Sequence, residues 1–199
     1  MMLKLSDNNL KNIDSVKNFF LTEKNKIKKQ FYFNHRGIKC CKLNSDLTDV
    51  LIKKIFELTN PLKLANQDFL ICAVGGYGRK HLAPYSDIDL LFVYNQKISE
   101  KELKRTIEQI LYPLWDLGMK VGHAARTFKE VISLSKKEQI IKTSILDARL
   151  ILGCNEVFKN IITQFTKEFS KKAGIFLKEK VDERKKNIQK IGFDYFKNE

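Results

Sequence analysis

The sequence predicts a mixed α/β domain of the α+β kind, with helices on both sides of a small sheet. Two strand-length runs rich in branched and aromatic residues, 69–74 and 87–94, flank a glycine-rich turn. The segments around them repeat apolar residues at helical spacing. A chain of 199 residues that is 43% hydrophobic can form one domain and part of a second. We therefore expect an N-terminal helical segment over 1–44, the α/β core over 45–153, and the truncated start of a helical domain over 154–199.

Helices are predicted on the N-terminal side of the core from the spacing of their apolar residues. One spans about residues 9–29, and a second begins at Ser45, which has the chemistry of an N-cap. Pro61 is expected to end this second helix, because proline removes a backbone donor and clashes with the preceding turn.

The elements on the C-terminal side follow from the same reasoning. An amphipathic helix is predicted over 101–117, with Trp115 packed in the core, and a third strand over 119–128. The TFKE pattern at the end of that strand is typical of a capping box that opens the next helix. Residues 138–153 are predicted to form one further helix that ends at a glycine, and residues 155–190 are predicted to be helical.

The composition limits the classes of partner and compartment. The net charge of +14 attracts polyanions, but the excess is mostly lysine spread over predicted helices, so it supports a nucleic-acid partner only weakly, without excluding one. None of the four cysteines belongs to a CxxC pair, so reduced thiols in a cytoplasmic protein are expected. The N-terminus has no long apolar segment, so we expect neither a signal peptide nor a membrane span.

Two carboxylates interrupt the second strand-length run. Asp87 and Asp89 are two residues apart, so on a strand they lie on one face, roughly 6 to 7 Å apart. Two such charges repel each other unless a cation neutralises them, and paired oxygen ligands suit Mg²⁺. The alternative is that each aspartate caps a loop or pairs with Arg79 or Lys80, which explains one aspartate better than two.

The turn before these carboxylates has the chemistry of a phosphate-binding loop. In "VGGYGR", Gly75 and Gly76 allow a phosphate to approach the backbone closely. Arg79 and Ser86 are the side chains placed to contact the same phosphates. The alternative is an ordinary tight turn in which Ser86 bonds to its own loop; no Walker A pattern is present.

The combination of turn and carboxylates is more specific than either alone. Asp87 follows Gly76 by eleven positions. This pattern resembles the signature of the nucleotidyltransferase superfold of DNA polymerase β-like enzymes, in which two glycines precede an Asp–hydrophobic–Asp triplet. The resemblance implies a polymerase β-like core, a triphosphate held by Gly75 and Gly76, and metal ions held by Asp87 and Asp89.

Longer segments carry a closer resemblance. "AVGGYGR", "PYSDIDLLF", "LYPLWDLGMKVGHAART" and "TSILDARLILG" together resemble the N-terminal part of the bifunctional uridylyltransferase/uridylyl-removing enzymes that modify the nitrogen-signalling protein PII. The resemblance covers about residues 69–153. It implies Mg²⁺-dependent transfer of UMP from UTP to a tyrosine of PII, with release of pyrophosphate.

The sequence departs from that family in three ways. The family continues into a helical domain, an HD phosphohydrolase domain and two ACT sensor domains, so we expect this chain to act in one direction and to ignore glutamine. His81 stands where members usually carry an acidic residue. The predicted strand over 119–128 lacks a third carboxylate; Asp116 and Asp147 are the remaining candidates, and a structural role is favoured for both.

Several alternatives remain open. His123 is either a general base for the acceptor hydroxyl or, more often for such a residue, a packed histidine. Lys80 and Arg126 are further candidates for triphosphate contacts, and Tyr77 or Tyr85 either stacks on the base or anchors the loop. The chain as a whole is an enzyme, an inactive or truncated remnant that serves as a binding module, or a nucleotidyltransferase that acts on RNA or a small molecule.

Overall fold

The computed structural model describes residues 10–59, 67–135, 139–171 and 173–191. The end predicted at Pro61 for the second helix lies outside these residues. In the described ranges, none of the helices combines the length and the apolar character that crossing a bilayer requires. The elements in chain order are α1 Ile13–Asn34, α2 Gly37–Thr59, β1 Phe69–Ala73, α3 Gly75–Gly78, β2 Ile88–Tyr94, α4 Glu100–Asp116, β3 Val121–Thr127, α5 Phe128–Ser135, α6 Gln139–Leu146, β4 Arg149–Leu152, α7 Asn155–Ser170 and α8 Ala173–Ile191.

The four strands form one mixed sheet with the order β3-β2-β1-β4. Strand β1 pairs antiparallel with both β2 and β4, while β2 and β3 run parallel. A parallel pair needs a crossover connection, and α4 supplies it. The mixed α/β core with flanking helices predicted from the sequence is therefore confirmed.

Strand β1 is buried on both faces and divides the interior into two hydrophobic clusters. Phe69, Ile71 and Ala73 pack with residues of α1, α2 and α4. Leu70 and Cys72 point to the opposite side, against residues of α5, α6 and α7, as the period of two along a strand requires. Burial raises the pKa of the Cys72 thiol to about 12, so this cysteine packs as a neutral apolar side chain.

Helix α2 begins earlier than its composition predicts. It starts at Gly37 rather than at Ser45, so the predicted N-cap at Ser45 is wrong. The Ser45 hydroxyl donates to the Cys41 carbonyl at 2.9 Å and accepts the Leu82 N–H at 3.2 Å. Ser45 therefore lies inside α2 and connects the helix to the backbone of Leu82. The helix also runs across residue 45, where the domain boundary was expected, and the three-part division of the chain stays a prediction.

Residues 138–153 do not form a single helix as predicted. Helix α6 ends at Leu146, and residues 149–152 form β4, which pairs with β1. Gly153, which was expected to stop a helix, follows this strand with φ of 121°. Pairing with β1 favours a strand over a helix for residues 149–152, because β1 is buried on both faces and needs a hydrogen-bonding partner for its second edge.

The predictions for the middle of the chain hold except at Trp115. Helix α4 has a capping box of Ser99 and Glu102. The TFKE capping box is confirmed, since the Thr127 N–H donates to Glu130 Oε2 at 2.7 Å and the Glu130 N–H donates to Thr127 Oγ1 at 3.2 Å. Trp115 was expected in the core, but it is 44% exposed at the end of α4.

We predict that Gly153→Ala destabilises the fold. An added Cβ would lie 2.3 Å from Leu70 Cδ2 and 2.9 Å from the Phe69 carbonyl oxygen, at a positive φ. The expected loss of unfolding free energy is about 2 kcal/mol or more. Denaturant titration followed by circular dichroism measures it.

Gly174→Ala in α8 is the matched control. A Cβ there meets nothing within 4 Å, and alanine favours the helix. The denaturant concentration at its unfolding midpoint is expected to be unchanged or higher. Equal losses of unfolding free energy in the two variants would contradict the close packing at Gly153.

Candidate active site

The glycine turn is a short helix set between the two central strands. Gly75 has φ of 58°, a value that favours glycine, and α3 follows over Gly75–Gly78. The turn closes with hydrogen bonds donated by the N–H groups of Gly78 and His81 to the carbonyls of Val74 and Gly76. The N–H groups at the start of a helical turn have no acceptor inside it, so those of Gly75 and Gly76 are available to an anion.

Asp89 lies between two glycines. It is on β2, opposite Gly122 of β3. A Cβ added to Gly75 would be 3.1 Å from Asp89 Oδ2, and one added to Gly122 would be 2.7 Å from Asp89 Oδ1. The carboxylate therefore occupies the space that two side chains would otherwise take. Gly122 is a site residue that the sequence reasoning missed, and only the strand register identifies it.

Asp87 lies one residue before β2 and is exposed, while Asp89 is half-buried. Within the described ranges, neither carboxylate has a hydrogen-bond or ion-pair partner, and no group of three or more His, Cys, Asp or Glu residues is placed to hold a metal. Burial and then the charge of Asp87 raise the pKa of Asp89. This is an uncompensated pair of oxygen ligands, which fits a hard divalent cation that keeps its remaining ligands from water and phosphate.

A network of partly buried polar groups supports the turn from the side of α2 and β4. The Tyr77 hydroxyl donates to Asp49 Oδ1 at 2.6 Å. The Arg149 guanidinium donates to both Asp49 oxygens, at 2.6 and 3.0 Å. It also donates to the carbonyls of Tyr77 and Gly78, at 3.3 and 3.2 Å. The backbone of α3 is thus fixed by side chains from α2 and β4.

The charge states in this network are set by the ion pair. Burial, followed by the charge of Asp49 and its hydrogen bond, raises the pKa of Tyr77 well above its usual range, so the phenol stays neutral. Burial acts to lower the pKa of Arg149, but the hydrogen bonds and the charge of Asp49 outweigh it, and the pKa of Arg149 is raised. Arg149 also stacks over the Tyr77 ring at 5.4 Å.

The basic side chains of the loop contact acidic partners. Arg79 forms an ion pair with Asp147, and Lys80 forms one with Asp46 at 2.6 Å. Asp116 pairs with Lys17 at 2.8 Å. Both candidates for a third carboxylate, Asp147 and Asp116, therefore lie in ion pairs, and the structural role favoured for them stays a prediction.

Ser86 lies in the exposed loop directly before Asp87, where its backbone N–H donates to the Ala83 carbonyl at 3.1 Å. It thus bonds within its own turn through the backbone. Tyr85 is 89% exposed, whereas Tyr77 is buried and anchors the turn.

His123, considered as a general base, and Arg126, considered for triphosphate contacts, both lie away from the carboxylates. His123 is opposite Leu90, which packs with α4, so it lies on the other face of the sheet from Asp89. Its ring contacts Phe92 edge-on at 6.4 Å. Arg126 lies four residues beyond Gly122 on β3, about 13 Å along the strand, and its guanidinium donates to the neighbouring Ala125 carbonyl.

Helix α2 contributes a group of residues that sequence reasoning did not assign to the site. Ser45, Asp46 and Asp49 all contact the turn or the loop after it, through Leu82, Lys80 and Tyr77 respectively. Their spacing of three and four residues puts them on one side of the helix, among buried apolar positions. That polar group on an otherwise apolar face is the signal that could have identified them.

The geometry agrees with comparison to known domains. Residues 52–151, about half of the chain, match the family model described as "Nucleotidyltransferase domain". The chain belongs to this family, which makes it an enzyme of the nucleotidyl-transferring class.

Its relatives include proteins with a more specific name. It is 39% identical over 165 residues to the bifunctional uridylyltransferase/uridylyl-removing enzyme of Phenylobacterium zucineum, covering 78% of this chain and 17% of the relative. It is 40% identical over 157 residues to the enzyme of that name from Caulobacter vibrioides, covering 74% and 16%. With that from Azospirillum brasilense it shares 35% over 173 residues, covering 83% and 18%. The chain spans less than a fifth of the length of these relatives.

We predict that Asp49→Ala strongly destabilises the chain, because it leaves Arg149 charged and unpaired and frees the Tyr77 hydroxyl. The expected loss is about 2–4 kcal/mol, in the lower part of the range for buried pairs because both side chains keep some exposure. Denaturant titration measures the change.

The matched control is Asp116→Ala, which removes the exposed pair with Lys17. Its expected loss is about 1 kcal/mol or less. If the two variants have equal stability, the network around Asp49 does not hold the turn.

Proposed function

We propose that the chain is a Mg²⁺-dependent nucleotidyltransferase that moves UMP from UTP to a tyrosine of the PII protein and releases pyrophosphate. The observation that carries the proposal is the unpartnered pair Asp87 and Asp89 beside the Gly75–Gly78 turn. Uridylyl transfer is supported by the name of the relatives. The PII acceptor comes from the resemblance described for residues 69–153.

Each residue of the site has a distinct role in this reaction. The acceptor oxygen bonds to the α-phosphorus of UTP and its proton passes to solvent, while the bond to the bridging oxygen breaks and pyrophosphate leaves with that electron pair. The N–H groups of Gly75 and Gly76 bind phosphate oxygens at the start of the turn. Asp87 and Asp89 would hold Mg²⁺, which when bound offsets the negative charge of carboxylates and phosphates. Asp49 and Arg149 fix the position of the turn.

The proposal extends to the compartment and to the acceptor, and the acceptor has one rival. The cytoplasm is the proposed compartment, in keeping with four free cysteines. RNA is the rival acceptor that one observation favours, namely the net charge of +14. Incubation of the chain with labelled UTP, ATP or CTP, and with either PII or RNA, distinguishes the two acceptors. Label on RNA rather than on PII would overturn the proposed acceptor.

We predict that Asp87→Asn combined with Asp89→Asn lowers transfer by about 10³-fold or more, because the site loses both cation ligands. Thermal stability without metal is expected to be unchanged or higher, since two uncompensated charges are removed. Mg²⁺ should raise the melting temperature of the wild-type chain but not that of the double variant. Asp116→Asn serves as the control, and transfer by the double variant at the wild-type rate would exclude the metal site.

We predict that Gly76→Ala weakens UTP binding without unfolding the chain. Its Cβ would meet nothing nearer than the His81 carbonyl oxygen at 3.6 Å, an ordinary contact. The methyl group would, however, stand where a phosphate approaches the backbone, so a roughly tenfold or larger rise in the Kd for UTP is expected. Calorimetry measures the Kd, Gly37→Ala is the surface control, and unchanged affinity would mean that the glycines only form a turn.

A further inference from the structure

We propose that the free edge of β3 docks the acceptor polypeptide as an added strand along residues 121–125. The inference rests on the proposed function, because it states how that acceptor reaches Asp89. Strand β3 is the outermost strand of the described sheet on that side, next to β2. Backbone groups on such an edge are a template for an extended segment of another chain.

The register shows which backbone groups face outward. The Ile88 N–H donates to the Lys120 carbonyl, and β2 and β3 pair in parallel. In a parallel pair the residues of one strand alternate between bonding to the neighbour and pointing away from it. Val121, His123 and Ala125 therefore turn their N–H and C=O groups to the free edge.

The far end of this edge is closed by local contacts. The Thr127 N–H is taken by Glu130, at 2.7 Å, and the Ala125 carbonyl accepts from the Arg126 guanidinium, at 2.8 Å. No hydrogen bond among the described residues uses the outward groups of Val121 or His123. The open stretch is thus short and begins directly beside Gly122.

Gly122 connects this edge to the reacting centre. Its missing side chain leaves room for the Asp89 carboxylate, whose Oδ1 would lie only 2.7 Å from a Cβ at that position. An added strand would lie about 4.8 Å outside β3 and so roughly 10 Å from β2. A tyrosine on that strand, pointing to the Asp89 side, would have only a glycine between its ring and the carboxylate.

The other face of the same edge offers a place for the neighbours of that tyrosine. A groove of about 570 Å³ runs between α4 and β3, and its lining includes Leu111, Trp115, His123 and Ala125. Because side chains of a strand alternate between faces, residues adjacent to the acceptor tyrosine would enter this groove. Trp115, which is 44% exposed, is accessible to such residues in this groove.

The occupant is an extended polypeptide. Outward N–H and C=O groups pair with peptide groups, whereas RNA recognition needs phosphate-binding cations or base-stacking faces. The charged residues that line the groove are balanced, with Glu100 and Glu108 beside Lys104 and Arg126, so this surface lacks the excess of cations that a nucleic-acid backbone requires. The proposal therefore commits to a segment of the acceptor protein.

Amide hydrogen exchange of the wild-type chain tests the docking. The chain is mixed with Mg²⁺, a non-hydrolysable UTP analogue and excess PII, and exchange is followed in peptides covering 119–127. Slower exchange at Val121 and His123 on addition of PII is the expected result. Protection by RNA instead, or by raising the concentration of the chain alone, would assign the edge to RNA or to a second copy and overturn the proposal.

A proline substitution tests it through kinetics. His123→Pro removes an outward N–H and leaves the bonds to β2 in place, so the KM for PII should rise roughly tenfold or more. His123→Ala keeps the N–H but removes the imidazole from the groove, so its KM for PII should rise less than that of the proline variant, and the difference between the two variants reports the backbone contact. Equal KM values for the two variants would overturn the docking; if the proline variant unfolds, the exchange experiment decides.

The two proposals fail separately. Transfer to PII without protection of the edge amides would overturn the docking and leave the proposed function standing. Protection without transfer would support the docking and overturn the function. Neither transfer nor protection would overturn both.

Discussion

The ion pair of Asp49 and Arg149 is the interaction on which the rest of the site depends. It joins α2 to β4, and through Tyr77 it fixes the helical turn that lies between β1 and β2. A glycine-rich turn is conformationally permissive, so contacts with its surroundings must fix its conformation. Here the Arg149 guanidinium donates to the backbone carbonyls of Tyr77 and Gly78 in the turn, and the Asp49 carboxylate holds the guanidinium in place.

The two faces of the sheet have different roles. One face packs against α1, α2 and α4 and holds a continuous apolar cluster. Asp89 lies on the other face, near one end of β2, where Gly75 and Gly122 leave room for its carboxylate. The chain keeps two adjacent carboxylates without partners among the described residues, which is unfavourable for the isolated fold. Such local violations of good packing are expected where a protein binds a charged ligand.

The parts of the molecule that could be predicted were those with local signals. The glycine turn, the strand that carries Asp89 and the capping box at Thr127 follow from spacing over a few residues. Strand β4 was missed because the three apolar residues at its end, Leu150, Ile151 and Leu152, look like the continuation of the preceding helix, and only pairing with β1 shows otherwise. The roles of Asp49 and Gly122 depend on partners distant in the sequence. For Asp49 the sequence offers only the indirect signal of a polar group on an apolar helix face, and for Gly122 it offers none.

The separation of Asp49 and Arg149 by 100 residues has a consequence for biosynthesis. The turn and its carboxylates are made early, yet the strand that completes their support leaves the ribosome much later. Contacts of such long range form slowly, because the intervening chain must first be ordered. During synthesis the second edge of β1 is thus unpaired until β4 emerges, and nascent chains halted before residue 149 expose an apolar strand that chaperones or other chains can bind.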